Sequence, residues 1–390
     1  MLILVLNPGS SSLKYQVRHI GAPGTIPGLL LDRVVDVPPS GQPDPGFFGS
    51  AFDEVELAIR RSSGGVRPDA VGHRVVHGGG RFSAPVRVTR DVIEAIGELA
   101  ELAPLHNAAS AACMRTAAVR WPDTPQVAVF DTAFHQTMPE VAARYAVPED
   151  LYRTYGIRRY GFHGISVEIA CRDTAVFLAL PVGSLNAVVA HLGNGASVTA
   201  VRNGRSVDTS MGMTPLEGLV MGTRSGDLDP SVVTFLQRRG LGPDEVEELL
   251  NHRAGLLGLA GSADMRTVQD AAQRGDPRAV LAIDMAAYRL AKYVAAYTMV
   301  VGGAGALVFT GGVGEQSAPF RSRVMSLLEP LGFCIDEERN RSVETTVRSI
   351  SAECSKFPVL VVPCDEERAI AEATAAVICS EEATVRNRDG

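Results

Sequence analysis

The chain has 390 residues, 46% of them hydrophobic, with a net charge of −7 and a pI near 5.7. This length and apolar content exclude a disordered chain and suit two domains of ordinary size, while the acidic balance argues against a nucleic-acid partner, which would need a basic face. Six cysteines, Cys113, Cys171, Cys334, Cys354, Cys364 and Cys379, form no C-x-x-C pair, which argues against a zinc site or a disulfide framework and fits a reducing cytoplasm.

Leu2 to Leu6 is continuously apolar and predicts a buried strand; the N-terminus lacks the basic stretch of a signal peptide. Asn7 to Ser12 then predicts a turn of small residues, and Leu13 to Val17 a returning strand. The hydroxyls of Ser10 to Ser12, the Asn7 carbonyl and Lys14, one of three lysines in the chain, could hold a metal and phosphates. A plain serine-rich hairpin is the competing reading. Ala70 to Val76 predicts a strand carrying Arg74 into Gly78, Gly79 and Gly80, where a guanidinium fork could receive a carboxylate or phosphoryl group, or simply decorate an edge strand. Asp91 to Leu102 has helical spacing, with Pro104 closing it ahead of Leu105, His106 and Asn107. Gln126 to Phe130 predicts a strand ending on Asp131, a common place for a catalytic or metal-binding acid and also for a helix cap.

Ile157 to Gly164 brings Arg158, Arg159 and His163 together between glycines. The stretch from Ala187 to Pro230 is the densest in charges and small residues that packing alone would not select. Two apolar runs, Ala187 to Ala190 and Val198 to Val201, predict a hairpin with Gly193, Asn194 and Gly195 at its tip, where backbone N–H groups could face an anion. Taken alone, Gly-Asn-Gly is better read as an ordinary turn. The charged and hydroxyl residues Thr214, Thr223, Arg224, Ser225, Asp227 and Asp229 favour a site. Asp244 to Leu250 and Ala279 to Met299 predict helices, with a glycine-rich loop, Gly255 to Arg266, between them. The longest apolar tract, Tyr293 to Phe309, is broken by Gly302, Gly303 and Gly305 and predicts a helix end running into a strand, not a membrane span. Ala306 to Thr310 enters Gly311 to Glu315, Val359 to Pro363 leads into Asp365, Glu366 and Glu367, and Ala369 to Cys379 is an alanine-rich helix.

The halves match in order. Each has a hairpin with a small-residue tip, a strand into a glycine cluster, and a strand ending in acid about fifty residues later, as duplicated units would. Two lobes aiming hairpin tips at a shared nucleotide polyphosphate would follow. Neither G-x-x-x-x-G-K-[ST] nor G-x-G-x-x-G is present, which removes the main support for P-loop and Rossmann readings.

Six strings in order, NPGSSSLK from Asn7, GHRVVHGG from Gly72, FDTAFH from Phe130, GFHG from Gly161, HLGNGAS from His191 and GTRSGDLDP from Gly222, closely resemble the acetate kinase family over essentially the whole chain. The resemblance implies an α/β fold of two duplicated ribonuclease H-like domains (βββαβαβα), as in the acetate and sugar kinase/Hsp70/actin superfamily. It places one domain at 1–136 with a returning helix at 369–390 and the other at 137–368. It implies a cytoplasmic homodimer that moves the γ-phosphoryl group of ATP to acetate reversibly, giving acetyl phosphate and ADP, with Mg²⁺ or alternatively Mn²⁺.

By the same resemblance, Asn7 and Glu366 would place the metal and Lys14 would meet the phosphates. His191, Leu192, Gly193, Asn194 and Gly195 would cradle the polyphosphate. Asp264, Met265 and Arg266, with Gly312, Val313, Gly314, Glu315 and Gln316, would hold the nucleoside. Arg74, Arg224 and His163 would stabilise the group in flight, Asp131 would be the catalytic acid or base, and Val76, Leu105, Phe162 and Pro215 would wall the methyl pocket. A carboxylate acceptor is already ionised near neutral pH, so Asp131 is expected to organise an arginine or metal-bound water more than to remove a proton. The chain departs from the family at Cys364 and Asp365, where Thr-Asn is usual and the extra carboxylate could alter metal preference, and at Ile165 and Val167, where Thr and His are frequent. Propionate or butyrate as acceptor, and a non-catalytic ATP-driven clamp, are the alternatives; retention of Arg74, Arg224 and His163 disfavours the clamp.

Overall fold

A computed structural model describes residues 1–9, 12–21, 28–36, 45–62, 67–303 and 305–386. Ser10 and Ser11 lie outside the described residues, as does the side chain of Leu105. The chain divides into two compact units, Met1–Gln136 with Asp365–Gly390, and Thr137–Cys364.

The first unit is built on a six-stranded sheet of β1 (Leu2–Pro8), β2 (Ser12–His19), β3 (Gly28–Asp36), β4 (Ala70–Val75), β5 (Val86–Arg87) and β6 (Gln126–Phe130), in the order β3-β2-β1-β4-β6-β5. β1, β2 and β3 are antiparallel, β1, β4 and β6 run parallel, and β5 closes the edge antiparallel to β6. A strand in the middle of a sheet with helices on both faces is covered on both sides, which is why Leu2 to Leu6 has no polar alternation and is buried throughout. On one face Phe48 and Phe52 from the helix Pro45–Ser62 and Trp121, just past the helix Pro104–Arg120, pack on Leu4, Leu6 and Tyr15, with Phe52 and Trp121 rings 5.0 Å apart. Each such side chain contributes about 1.5–3 kcal/mol by leaving water. The helix Glu366–Arg386 packs against β1, β4 and β6. Gly72 makes that approach possible, because a Cβ there would fall on Thr374 Oγ1 and Ile370.

The second unit repeats the path. Its strands are β7 (Ala187–Leu192), β8 (Ala196–Arg202), β9 (Arg205–Thr209), β10 (Leu307–Thr310), β11 (Arg348–Ser349) and β12 (Val359–Val361), ordered β11-β12-β10-β7-β8-β9. The run β9-β8-β7-β10-β12 has the same chain order and directions as β3-β2-β1-β4-β6, including the parallel steps from β7 to β10 and β10 to β12. Duplicated α/β architecture is therefore visible in the topology itself. The helix Pro277–Val300 packs on β7, β8 and β9. No helix among the described residues is long and apolar enough to cross a membrane.

Four segments differ from the sequence reading. Pro104 opens a helix, Pro104–Arg120, instead of closing one; proline's fixed φ suits the first helical turn, where its missing N–H is no loss. The expected loop Gly255 to Arg266 contains the helix Gly255–Ala260, entered through Gly255 at φ 58°, and Met265 starts another helix with Asp264 as its cap. The glycine cluster from Gly311 is a short helix, Gly311–Gln316, entered at φ 77°. Finally, Glu366 and Glu367 stand on the first turn of the last helix and not at a strand end, so this helix starts before Ala369.

Candidate active site

In the first unit, six charged or amide side chains meet near the carboxyl ends of the parallel strands. Asn7 ends β1 and faces Lys14 across the hairpin, Arg74 lies on β4, and Asp131 follows β6, its N–H donating to Val75 O at 2.9 Å. The last helix adds Glu366 and Glu367. Arg74 Nη2 donates to Asp131 Oδ2 at 2.7 Å and Nε to Oδ1 at 3.4 Å, a two-pronged grip on a carboxylate that is 1% exposed. Arg74 Nη1 reaches Asn7 Oδ1 at 3.2 Å, and Nε lies 3.8 Å from Glu366 Oε2. Burial opposes the Arg74 charge, but Asp131 and Glu366 outweigh it and hold the guanidinium protonated well above its ordinary value. For Asp131 burial is the larger influence and pushes the carboxyl up to about 6, with Arg74 pulling against it and the Glu366 charge adding to the push.

Glu367, which the sequence reading left without a role, takes Lys14. Its Oε1 accepts from Lys14 Nζ at 2.9 Å and from Asn7 Nδ2 at 3.2 Å. Burial would raise the Glu367 pKa, yet Lys14 and Asn7 together bring it below the usual carboxylate value. Asp365, the unusual carboxylate, is engaged elsewhere: it accepts from Arg18 Nη2 at 2.7 Å and from the N–H of Arg368 at 3.0 Å, fixing the start of the last helix.

Asn7 Oδ1 and the Glu366 carboxylate are hard oxygen donors, beside a third oxygen donor in Asp131. This set suits Mg²⁺, which prefers few carboxylates and oxygen ligands only. Val76 is buried just beyond β4.

In the second unit the hairpin tip is closed by Gly193 N–H donating to Gly195 O at 2.9 Å. His191 stacks on His163, with ring centroids 4.2 Å apart, and each ring is held from behind: Ser166 Oγ lies 2.8 Å from His191 Nδ1 and Ser197 Oγ 2.9 Å from His163 Nδ1. Gly195 keeps the front open, because a Cβ there would stand 3.4 Å from both Arg224 Nη1 and His163 Nε2. The Arg224 guanidinium donates to Pro215 O at 3.3 Å and, among the described residues, forms no ion pair with an acid; burial alone pulls its pKa down. A largely desolvated cation with no carboxylate beside it is a receptor for an anion. Phe162 is buried one residue before His163.

A cavity of about 760 Å³ opens beside this hairpin. Leu192, Gly193 and Asn194, then Asp264, Met265 and Arg266, then Gly312, Val313 and Gln316 line it, with Leu256, Leu290 and Phe320 supplying apolar wall that sequence reading did not identify. Asp264 is tied to Arg266 at 2.7 Å, and this partner holds its carboxyl down at about 2. Gly222 closes over Asn194, where a Cβ would fall on Oδ1. Gly314 and Glu315 are not among the lining residues: Gly314 is buried, and the Glu315 carboxylate accepts from the N–H of Cys364 at 2.9 Å.

A profile of the acetokinase family matches residues 53–372, most of the chain. The chain belongs to the acetokinase family. It is 54% identical to the acetate kinase of Arthrobacter sp. strain FB24 over 385 residues, covering 97% of this chain and 100% of that one, and 54% identical to the acetate kinase of Micrococcus luteus, covering 96% and 98%. Among solved structures, Porphyromonas gingivalis acetate kinase superposes with a TM-score of 0.85 at 40% identity, covering 97% of this chain and 99% of that one. A propionate kinase from Francisella tularensis does so with a TM-score of 0.87 at 39%, covering 96% and 99%.

Within this acetokinase-family chain, Ser166 is a further residue that sequence reasoning missed. Its hydroxyl lies between His191 and Cys364 Sγ, the latter at 3.2 Å. Only the packing of the helix Gly164–Phe177 against β7 brings these together, and no local signal announces it.

Proposed function

We propose that the chain transfers the γ-phosphoryl group of ATP to the carboxylate of acetate, reversibly, yielding acetyl phosphate and ADP. As a member of the acetokinase family it is an acetate kinase, a phosphotransferase with a carboxyl group as acceptor. The observation that carries the reading is Arg224, a half-buried guanidinium with no acid partner among the described residues, next to the His163 ring and the open face of Gly195.

In-line phosphoryl transfer spreads negative charge over the equatorial oxygens, and catalysis consists of positioning plus charge stabilisation. Arg224 and His163 supply positive charge and a ring N–H there. Arg74, aligned by Asp131, binds the acceptor oxygens bidentately. The nucleoside lies in the 760 Å³ cavity, with its polyphosphate along His191 to Gly195. Lys14, kept protonated by Glu367 in spite of desolvation, meets the phosphates. Asn7 and Glu366 would hold Mg²⁺, which would neutralise phosphate charge. Asp131 does not act as a base, since the acceptor arrives ionised. Apolar side chains such as the buried Phe162 limit the size of the acid.

The partner suited to the exposed apolar side chains Leu281 and Tyr288 on the helix Pro277–Val300 is a second copy of the chain, a homodimer of the cytoplasm. A hydroxamate assay with ATP, Mg²⁺ and a series of short acids tests the reading. Acetate is expected to give the highest kcat/KM, and a higher value for propionate would move the assignment to that acid. One methylene is worth only about 1–3 kcal/mol in such a pocket.

A further inference from the structure

All six cysteines are free thiols, and two of them lie on hydrogen-bonded neighbouring runs of backbone. Cys113 and Cys171 are buried, and burial pushes both thiols up. Cys364 belongs to the Ser166 contact, and Cys379 is on the exposed face of the last helix.

Cys334 and Cys354 lie on two runs of the second unit joined by a short antiparallel ladder. Asp336 N–H donates to Ile350 O at 2.9 Å, Ile335 bridges Ser351, Ala352 N–H donates to Cys334 O at 3.1 Å, and Lys356 N–H donates to Gly332 O at 2.9 Å. The turn between is closed by Ser355 N–H on Ala352 O at 3.1 Å, and Ser355 Oγ accepts from Cys334 N–H at 3.1 Å. Backbone on both sides is thus pinned, and Cys334 is hydrogen-bonded to Ala352 and Ser355, the two ends of the turn that carries Cys354, with Cys354 exposed and Cys334 half-buried.

We propose that Cys334 and Cys354 are a reversible dithiol–disulfide pair, an oxidation site apart from the phosphoryl-transfer residues, whose oxidant is a hydroperoxide or a low-molecular-weight disulfide. With hydrogen peroxide, the Cys354 sulfur attacks one oxygen, the O–O bond breaks, and water leaves behind a sulfenic acid. The Cys334 sulfur then attacks Cys354 and expels a second water, so two thiols and one peroxide give one disulfide and two waters. With a small disulfide, Cys354 displaces one small thiol and Cys334 displaces the other. The order follows from access: the exposed Cys354 meets an oxidant from solvent first, and the half-buried Cys334 then resolves it.

The bond would fasten a segment that supports the nucleoside cavity. Between the two cysteines lie Asn340 and Arg348. Asn340 Oδ1 accepts from the buried Arg321 at 2.7 Å, Arg321 also donates to Gly314 O and Glu315 O at 2.8 Å, and Arg348 reaches Glu315 O at 3.3 Å.

The test treats the intact protein under native conditions with hydrogen peroxide and, separately, with bis(2-hydroxyethyl) disulfide, followed by alkylation and non-reducing peptide mass spectrometry. The expected product is one linked peptide pair, Cys334 to Cys354, that disappears on reduction. The cross-linked protein should melt about 5–10 °C higher. In Cys354→Ser no linked pair forms, and in Cys334→Ser the small disulfide stays trapped on Cys354. Recovery of the two cysteines as separate mixed disulfides or sulfinic acids, a link to another chain, or a lowered melting temperature would overturn the proposal.

Discussion

Replacing Asp131 by asparagine removes one negative charge and almost no volume. Arg74 would keep Asn7 Oδ1 at 3.2 Å and, as its remaining carboxylate within ion-pair reach, Glu366 at 3.8 Å. Breaking a buried pair from one side costs about 3–5 kcal/mol. The Arg74 side chain is 22% exposed and Glu366 retains part of the attraction, which puts the loss of stability at the lower end, about 3 kcal/mol. An Arg74 no longer aligned forfeits a share of transition-state stabilisation of similar size, a fall in kcat of about 10²-fold. The hydroxamate assay at saturating ATP and acetate measures the second quantity, urea unfolding of the same preparations the first. Because acetate needs no deprotonation, raising the pH should not restore the variant. A kcat within about threefold of the unaltered chain, or recovery in alkaline buffer, would refute the reasoning and return Asp131 to the role of base.

Arg224→Ala should lower kcat by about 10²–10³-fold, with Arg224→Lys intermediate because the fork is lost and the charge kept. Its melting temperature should hold or rise, since a desolvated cation without an acid partner is removed; a destabilised Arg224→Ala protein would contradict this. Gly222→Ala should raise the KM for ATP about tenfold or more by driving a methyl group into Asn194, and an unchanged KM would detach Asn194 from the nucleotide. His73 is wholly buried with Nε2 2.8 Å from Gln126 Oε1, and burial lowers its pKa to about 4. The unfolded chain, with a His pKa of about 6.5, takes up this proton first, so the contribution is intact above that pH and is lost as pH falls through about 4, some 3 kcal/mol in all. Urea unfolding across that range should show the loss in the unaltered chain and not in His73→Asn; equal slopes would exclude it.

The parts of the fold legible in the sequence are those fixed by local pattern. The unbroken apolar runs of β1, β7 and β10 and the Gly193–Gly195 turn follow from strand burial and glycine chemistry, and the matching order of the two halves follows from them. The helices beginning at Gly255 and Gly311 were hidden because glycine argues locally against helix. In both cases the glycine serves the entry, a left-handed residue pressed against Met221 O or Leu192 O, and the helix follows from what packs behind it. Which of two adjacent carboxylates meets Lys14 depends on the phase of a helix that arrives from the far end of the chain. Glu367 takes Lys14, and Glu366 is left towards Arg74. Ser166 depends on how helix and strand pack, and the pairing of Asp365 with Arg18 joins residues from opposite ends of the chain that no local pattern links.

The most direct measurement is a ³¹P NMR time course of the purified chain with ATP, Mg²⁺ and acetate. The account predicts an acetyl phosphate resonance growing in step with ADP and no excess of inorganic phosphate. ADP and inorganic phosphate accumulating together, with no acyl phosphate at any time, would describe a nucleotide-driven clamp and contradict it.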